Sequence, residues 1–175
     1  SYYQTFNQKT YEALTLFDGH AYHHLNALGW MDDEKTYLNE HLFILDALYG
    51  LIRPLDGISP YRLDLTYPKM NLTAFWKPII QTYFKHHHTH ELLINLASNE
   101  FSTLLDQINH LTITFYLKKA NKTSIHSMEA KKMRGMMART LIKHRCKTLD
   151  ELKKIQLEGY RYDASLSTDH TYVYT

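Results

Sequence analysis

The chain lacks most of the patterns that reveal a function on sight. It holds one cysteine, Cys146, in 175 residues. A lone thiol excludes an internal disulfide framework and suits a reducing compartment. An excess of one charge is also missing. Twenty Lys and Arg oppose 18 Asp and Glu, a formal net charge of +2, so bulk electrostatics does not imply nucleic-acid binding. Any such binding must come from local clustering. No apolar run approaches the ~18 residues of a membrane span, and no signal-peptide pattern opens the chain. A cytoplasmic protein with no membrane partner is therefore expected. With six glycines in all, no Gly-rich fingerprint marks a dinucleotide fold or a P-loop. Ser-His-Asp, Cys-His and metal-hydrolase spacings are absent. There is no low-complexity linker and no internal repeat, so residues 1–175 are expected to form a single domain.

What is present is the composition of a globular protein, 44% hydrophobic and 22% charged, with 14 tyrosines and two tryptophans. Apolar spacing predicts a helix from Gln4 to about Phe17 and a short one from Ala21 to Leu28. A third opens on the acids Asp32, Asp33 and Glu34 and runs through Leu38, Leu42, Leu45 and Tyr49 to Gly50. Arg53 to Pro60 reads as a loop, and Leu72 to about Phe84 as a helix with Pro78 as a kink or restart. Strands are expected at Glu91–Leu96, at Leu111–Leu117 with its period-two alternation, and over Ser124–Met128. Ser98 and Asn99 can cap a helix over Glu100–Ile108. Thr148 opens a helix over Leu149–Ile155, and Tyr160–Ser165 with Thr171–Thr175 read as a closing antiparallel pair. The class is α+β: a mixed β-sheet surrounded by helices, with a helical N-terminal half.

The most informative stretch runs from Ala130 to Arg139, with four cations and a glycine in a helical pattern. Ala130, Met133, Met137 and Leu141 form one buried stripe. Lys132, Arg139 and Lys143 point to the other side, with Gly135 beside them. Lys131 completes the cationic set. Arg134 falls at the edge of the apolar stripe, where a guanidinium needs a carboxylate or an anionic ligand. Gly135 costs helix stability, ~1 kcal/mol relative to Ala; it lets another backbone or a phosphate come close. A second polar group is Arg53-Pro54-Leu55-Asp56 with Tyr61-Arg62. It is either an internal Arg–Asp pair bracing a turn or a guanidinium pair presented to phosphates, with Tyr61 to stack or donate. Asn95 to Glu100 is a strand–turn–helix junction of the kind that can hold an anion, although a plain capped helix is commoner. Two histidine groups, His20/His23/His24 and His86/His87/His88/His90, contain i, i+4 pairs, but no cysteine pair or well-placed acid completes a metal site. No metal and no cofactor are expected. Cys146 stands among Lys143, Arg145 and Lys147, cations that can depress a thiol pKa; an incidental exposed thiol is the plainer interpretation.

Five ordered segments resemble the YaaA family of bacterial peroxide-stress proteins. Ala130-Lys131-Lys132-Met133-Arg134-Gly135 with Met137 and Arg139 is similar to its basic signature. Leu48 to Asp56 with Pro60 to Leu63 is similar to "LYGLLRPLD…PYRLEM", and Phe75-Trp76 to "FW". Asn95 to Phe101 is similar to "NLAS-x-E-Y", and Glu158-Gly159-Tyr160 to "EGY". The family's opening "ISPAKT" strand and the helical segment after it are not present. The chain is expected to be the C-terminal two thirds of such a protein, with a further strand of its sheet in the missing third. The resemblance implies a role in the peroxide-stress response, DNA (structured or duplex) as partner, and a link to limiting iron-dependent damage. It implies a helix–hairpin–helix element as well, but no segment here has the matching Leu-Pro-Gly-Val-Gly-like spacing. The residues expected to meet phosphate are Arg53, Tyr61, Arg62, Lys131, Lys132, Arg134, Gly135 and Arg139. The alternative is an enzyme acting on a small phosphate-bearing anion in the same cationic cleft.

Overall fold

The computed structural model describes residues 9–119, 122–124 and 126–175. In chain order its first elements are β1 (Tyr11–Glu12), α1 (Ala13–Leu16), α2 (His20–Leu25), α3 (Asp32–His41), β2 (Ile44–Asp46), β3 (Gly50–Ile52), β4 (Gly57–Ile58) and α4 (Leu72–His87). There follow β5 (Leu93–Asn95), α5 (Asn99–Ser102), β6 (His110–Phe115), β7 (Leu117–Lys119) and β8 (Lys122–Ser124). The last are α6 (Ser127–Lys143), α7 (Leu149–Lys154), β9 (Gln156–Leu157), β10 (Tyr160–Arg161) and β11 (Thr171–Tyr174). The class is α+β, with parallel and antiparallel pairings. The backbone gathers into two compact units. The first holds the chain up to Asp18, Ala27–Thr89 and Asn99–Ile108; the second holds Gly19–Asn26, His90–Ser98 and Asn109–Thr175.

In the first unit, α3 carries Asp32, Asp33 and Glu34 in its opening turn, where the helix dipole favours acids. The Glu34 carboxylate accepts the Met31 N–H at 2.9 Å. The helix ends at His41 and does not continue to Tyr49. Residues 44–52 instead form an antiparallel hairpin with Ile44 opposite Ile52. Asp46 closes it. Its Oδ1 accepts the N–H groups of Leu48 at 2.8 Å and Tyr49 at 2.7 Å, and this local bonding competes with a helix. Gly50 then takes φ +77°, and a Cβ on it would lie 2.3 Å from the Trp76 ring. The Arg53–Pro60 loop is pinned by backbone bonds from Ala13 to Asp56 and from Leu14 to Pro54. Antiparallel pairing of Tyr11 with Ile58 and of Glu12 with Gly57 holds residues 11–12 in a strand, and only Ala13–Leu16 is helical, shorter than the Gln4–Phe17 helix expected. Residues 4–8 of that expectation lie outside the described residues. In α4, Asn71 accepts the Ala74 N–H at 3.1 Å, and the helix passes Pro78 to reach His87. The helix expected over Glu100–Ile108 is α5 followed by a single 3-10 turn at Thr103–Leu105.

In the second unit, β6 is the centre of a three-stranded sheet, parallel to β5 on one side and to β11 on the other. Its alternation holds: Leu111, Ile113 and Phe115 are buried. The expected closing antiparallel pair forms only in part. The Tyr172–Tyr174 run is buried, as a strand covered on both faces must be, and it pairs in parallel with β6. Its outer edge meets Arg161 through two antiparallel backbone bonds with Thr175, 3.0 and 2.9 Å. The strand expected over Ser124–Met128 is also displaced: Ser124 ends β8, and α6 has begun by Ser127. Residue 125 lies outside the described residues.

Helix α6 lays Met133 and Met137, both fully buried, against Leu111, Ile113, Phe115, Tyr172 and Tyr174. Tyr174 donates its buried hydroxyl to the Leu152 carbonyl at 2.6 Å. Burial drives its pKa far above the usual phenol value. Thr148 and Glu151 cap α7 reciprocally, each accepting the other's N–H at 3.2 Å. On another face of α6, helix α2 comes so close that a Cβ on Gly135 would sit 2.0 Å from the Ala21 carbonyl oxygen. No described helix is long and apolar enough to cross a membrane.

Two predictions follow from these contacts. Gly135→Ala forces two backbones apart, and no side chain can yield to relieve it. It should cost ~3 kcal/mol or more and lower Tm by about 6 °C or more. Gly19→Ala, whose Cβ would meet Tyr22 at an ordinary 3.5 Å, should cost about 1 kcal/mol or less. Thermal melts of both variants provide the comparison. Asp46 supplies a pH test. Burial raises its pKa despite the bonds from Tyr49 and Leu48, so the folded state holds its proton more tightly than the unfolded state does. Its contribution to stability therefore grows as pH falls through the raised folded value to the unfolded value of about 4. The Tm of the wild type minus that of Asp46→Asn should rise by about 2 °C or more between pH 7 and pH 4.5. A constant or falling difference would mean that the carboxylate is not desolvated.

Candidate functional site

The cations of α6 do not share one face. Successive residues turn about 100° around a helix, so Arg134 and Arg139, five apart, stand about 140° apart. Lys131 is exposed on the first turns. Lys132 forms an ion pair with the Glu158 carboxylate. Arg134 is half-buried, and burial lowers its pKa from the ordinary arginine value. Among the described residues no carboxylate, carbonyl or ring partners its guanidinium. Of the two uses expected for Gly135, close approach of another backbone is the one present, made by Ala21.

Beside that helix crossing the second unit holds a cavity of about 380 Å³. Its walls are His23, His24 and Asn26 from α2 and its C-terminal cap, Met136, Arg139 and Thr140 from α6, and Glu158 from the β9–β10 turn. Desolvation first, then His20 and Lys132, lower the His24 pKa. The neutral ring, with one N–H donor and one acceptor nitrogen, is thereby favoured. The backbone is unusual at two wall positions. Asn26 has φ +56° and Glu158 has φ +45°. Asn26 is an ordinary left-handed helix cap. Glu158 is not ordinary. With Gly159 at φ +92° it makes a two-residue hairpin loop with both φ values positive, where Asn, Asp or Gly is preferred. Its carboxylate holds Lys132 at the cavity's edge.

Arg53, Tyr61 and Arg62 belong to the first unit. The Arg53 guanidinium lies 3.5 Å above the Phe43 ring centroid and donates to the Glu40 carbonyl at 2.8 Å. The expected Arg53–Asp56 pair exists, but through the Arg53 backbone N–H, which Asp56 accepts at 2.7 Å. Arg53 also borders an aromatic cleft of about 210 Å³ with Phe43, Tyr49, Trp76 and Tyr83. Trp76 is fixed by its Nε1–H, donated to the Ala47 carbonyl at 2.9 Å. Tyr61 donates its hydroxyl to the Asp46 carboxylate, so that donor is already committed. Arg62 is exposed.

Other candidates resolve into structure. At the Asn95 junction the side chain accepts the Ala97 N–H at 3.0 Å and donates to Thr112 at 3.3 Å, and α5 is only four residues long. His20 and His24 meet edge to face with centroids 4.9 Å apart. Among the described residues no three His, Cys, Asp or Glu come together as metal ligands. Burial, then Glu151, raises the Cys146 pKa. The surrounding cations do not activate the thiol. Sequence reasoning missed Thr140, Asn26 and the cavity role of His24 and Glu158. The one signal available was a glutamate before glycine in a tight hairpin.

These features can be set beside known proteins. A family model described as peroxide stress protein YaaA matches residues 1–166. A UPF0246 protein of Legionella pneumophila strain Paris is 36% identical over 187 residues, covering 97% of this chain and 74% of that protein. One from Marinomonas sp. is 40% identical over 175 residues, 93% of this chain and 66% of that protein. One from Flavobacterium johnsoniae is 38% identical over 174 residues, 93% of this chain and 69% of that protein. The chain belongs to the YaaA family of peroxide stress proteins, to which its basic helix, proline-braced arginine loop and Glu-Gly-Tyr turn had pointed.

Proposed function

We propose that the protein binds DNA through contacts to backbone phosphates and in that way serves the cytoplasmic peroxide-stress response, limiting iron-dependent damage. The observation that carries this reading is Arg134. A guanidinium partly withdrawn from water, with no partner among the described residues, is costly. A phosphate, which accepts its planar fork bidentately, removes the cost. Lys131 and Lys132 on the same helix, Arg139 across it, and Arg53 and Arg62 in the first unit supply further cations. Gly135 allows α2 to brace the basic helix, so the cations stand on a fixed support. The cleft of Phe43, Tyr49, Trp76 and Tyr83 with Arg53 offers ring faces of the kind that stack on unpaired bases. Tyr61 serves the loop by binding Asp46, and so supports Arg62 in place of stacking. A protein seated on DNA stands on the molecule that iron-dependent peroxide chemistry damages.

Two measurements test the reading. Fluorescence anisotropy with duplex and branched DNA at several salt concentrations should give a log–log slope of about −3 to −5, from three to five phosphate contacts. No binding at low salt would exclude it. Arg134→Met should weaken DNA binding about tenfold and reduce that slope by about one. It should leave Tm unchanged or raise it, because an unpartnered desolvated charge is removed. Lys143→Met, on the last turn of the same helix, should change the affinity by less than about threefold. A large loss of Tm in Arg134→Met with no change in affinity would show that the arginine is a structural residue.

A further inference from the structure

The cavity between α2, α6 and the β9–β10 turn is not accounted for by contacts along a DNA backbone. Its donors converge from three elements. Thr140 brings a hydroxyl, Asn26 an amide and His24 an imidazole N–H, and the Arg139 guanidinium and the His23 ring complete the polar lining. Its volume, about 380 Å³, exceeds what an inorganic phosphate fills and lies in the range of small-ligand pockets. Met136 adds an apolar wall suited to the carbon face of a sugar or a base. We propose that this cavity receives a phosphate monoester carried on a nucleoside. Its source is either the terminal phosphate of a DNA strand or a free nucleotide.

The choice of a monoester over a backbone diester follows from charge and from the number of donors. A monoester near neutral pH carries a charge of about −1.5 to −2 and three terminal oxygens. It uses more donors than a diester, which is a monoanion with two free oxygens and chain on both sides. Glu158 would oppose an anion if its charge were unopposed, but Lys132 binds its carboxylate. The strained left-handed φ of +45° is retained at a position where Asn would relieve it. Backbone strain of this kind persists where the side chain has a use. Here the glutamate sets Lys132 at the rim, next to the Arg139 wall. Burial, then His20, Lys132 and His23, disfavour the charged form of His24 against the opposing pull of Glu158, so its ring donates without repelling its cationic neighbours.

In its strand-end form the inference rests on the DNA reading, and the experiment separates the two. The full chain is titrated with otherwise identical duplexes ending in 5′-phosphate or 5′-hydroxyl, and separately with a nucleoside 5′-monophosphate and with the bare nucleoside. The expected result is about tenfold or tighter binding of the phosphorylated duplex, or binding of the nucleoside monophosphate without the bare nucleoside. The first outcome identifies a strand end as the source and the second a free nucleotide. In either case the preference should collapse in Thr140→Val and in His24→Phe. These two variants sit on different helices, so either one that keeps the wild-type melt suffices. Equal affinity for both duplexes, with no binding of the nucleoside monophosphate, overturns the proposal while leaving DNA binding intact. A preference that persists in folded Thr140→Val and His24→Phe also overturns it, because the phosphate then binds elsewhere. Failure of the 5′-hydroxyl duplex to bind at low salt counts against the DNA reading alone, since the nucleotide titration still decides the cavity.

Discussion

The second unit depends on one close approach. Ala21 of α2 places its carbonyl where any residue but glycine at 135 would put a Cβ. Helices normally pack at 8–10 Å because side chains keep them apart; here one side chain is absent and the two backbones meet. Several consequences follow. Helix α2 is six residues long, too short to be stable alone, so it depends on α6 for its order. Its histidines and its left-handed Asn26 cap are then presented beside Arg139 and Thr140. The opposite side of α6 is occupied by Met133 and Met137 in the sheet core. The basic helix is thus held on two sides, and what remains exposed carries Lys131 and the edge position of Arg134.

A second constraint is electrostatic. In a chain with net charge of +2, most cations must be accounted for locally. Lys132 is paired with Glu158, Lys77 with Asp106 at 2.5 Å, and Arg53 is spread between a ring and a carbonyl. Arg134 stands apart from these: it is half-buried, and among the described residues no counter-charge meets it. Evolution toward stability alone would replace it with methionine or leucine, since stabilising changes at unneeded sites are easily found.

Much of this was legible in the sequence wherever local chemistry decides. The acids opening α3, the Thr148–Glu151 capping box, the alternation of β6 and the apolar stripe of α6 all depend on neighbours within a few residues. The failures share a cause as well. Leu42, Leu45 and Tyr49 keep a helical spacing, yet Asp46 captures two N–H groups and turns the chain into a hairpin. Thr171–Thr175 reads as a hairpin partner, yet its two-sided burial marks a strand laid beside β6 from far away in sequence. Tyr11 and Glu12 pair with Ile58 and Gly57, and Ala13 and Leu14 donate to the Asp56 and Pro54 carbonyls, all some forty positions on. Non-local pairing of this sort leaves no periodic trace.

The site was legible to the same degree. Gly135 and Arg134 stood out because each breaks a helical rule; the structure gives Gly135 a physical reason in the close approach of Ala21 and leaves Arg134 half-buried at the edge of the stripe. Thr140 and Asn26 break no rule and acquire meaning only from the elements facing them. Glu158 falls between these cases. A glutamate at a left-handed hairpin position is locally unfavourable, and the sequence shows it as plainly as it shows a glycine in a helix. It passes unnoticed because β9 and β10, two residues each, are too short to announce a hairpin. Local rule-breaking is therefore informative only once the element that sets the rule has been recognised. In this chain the elements hardest to recognise are the short ones that wall the cavity.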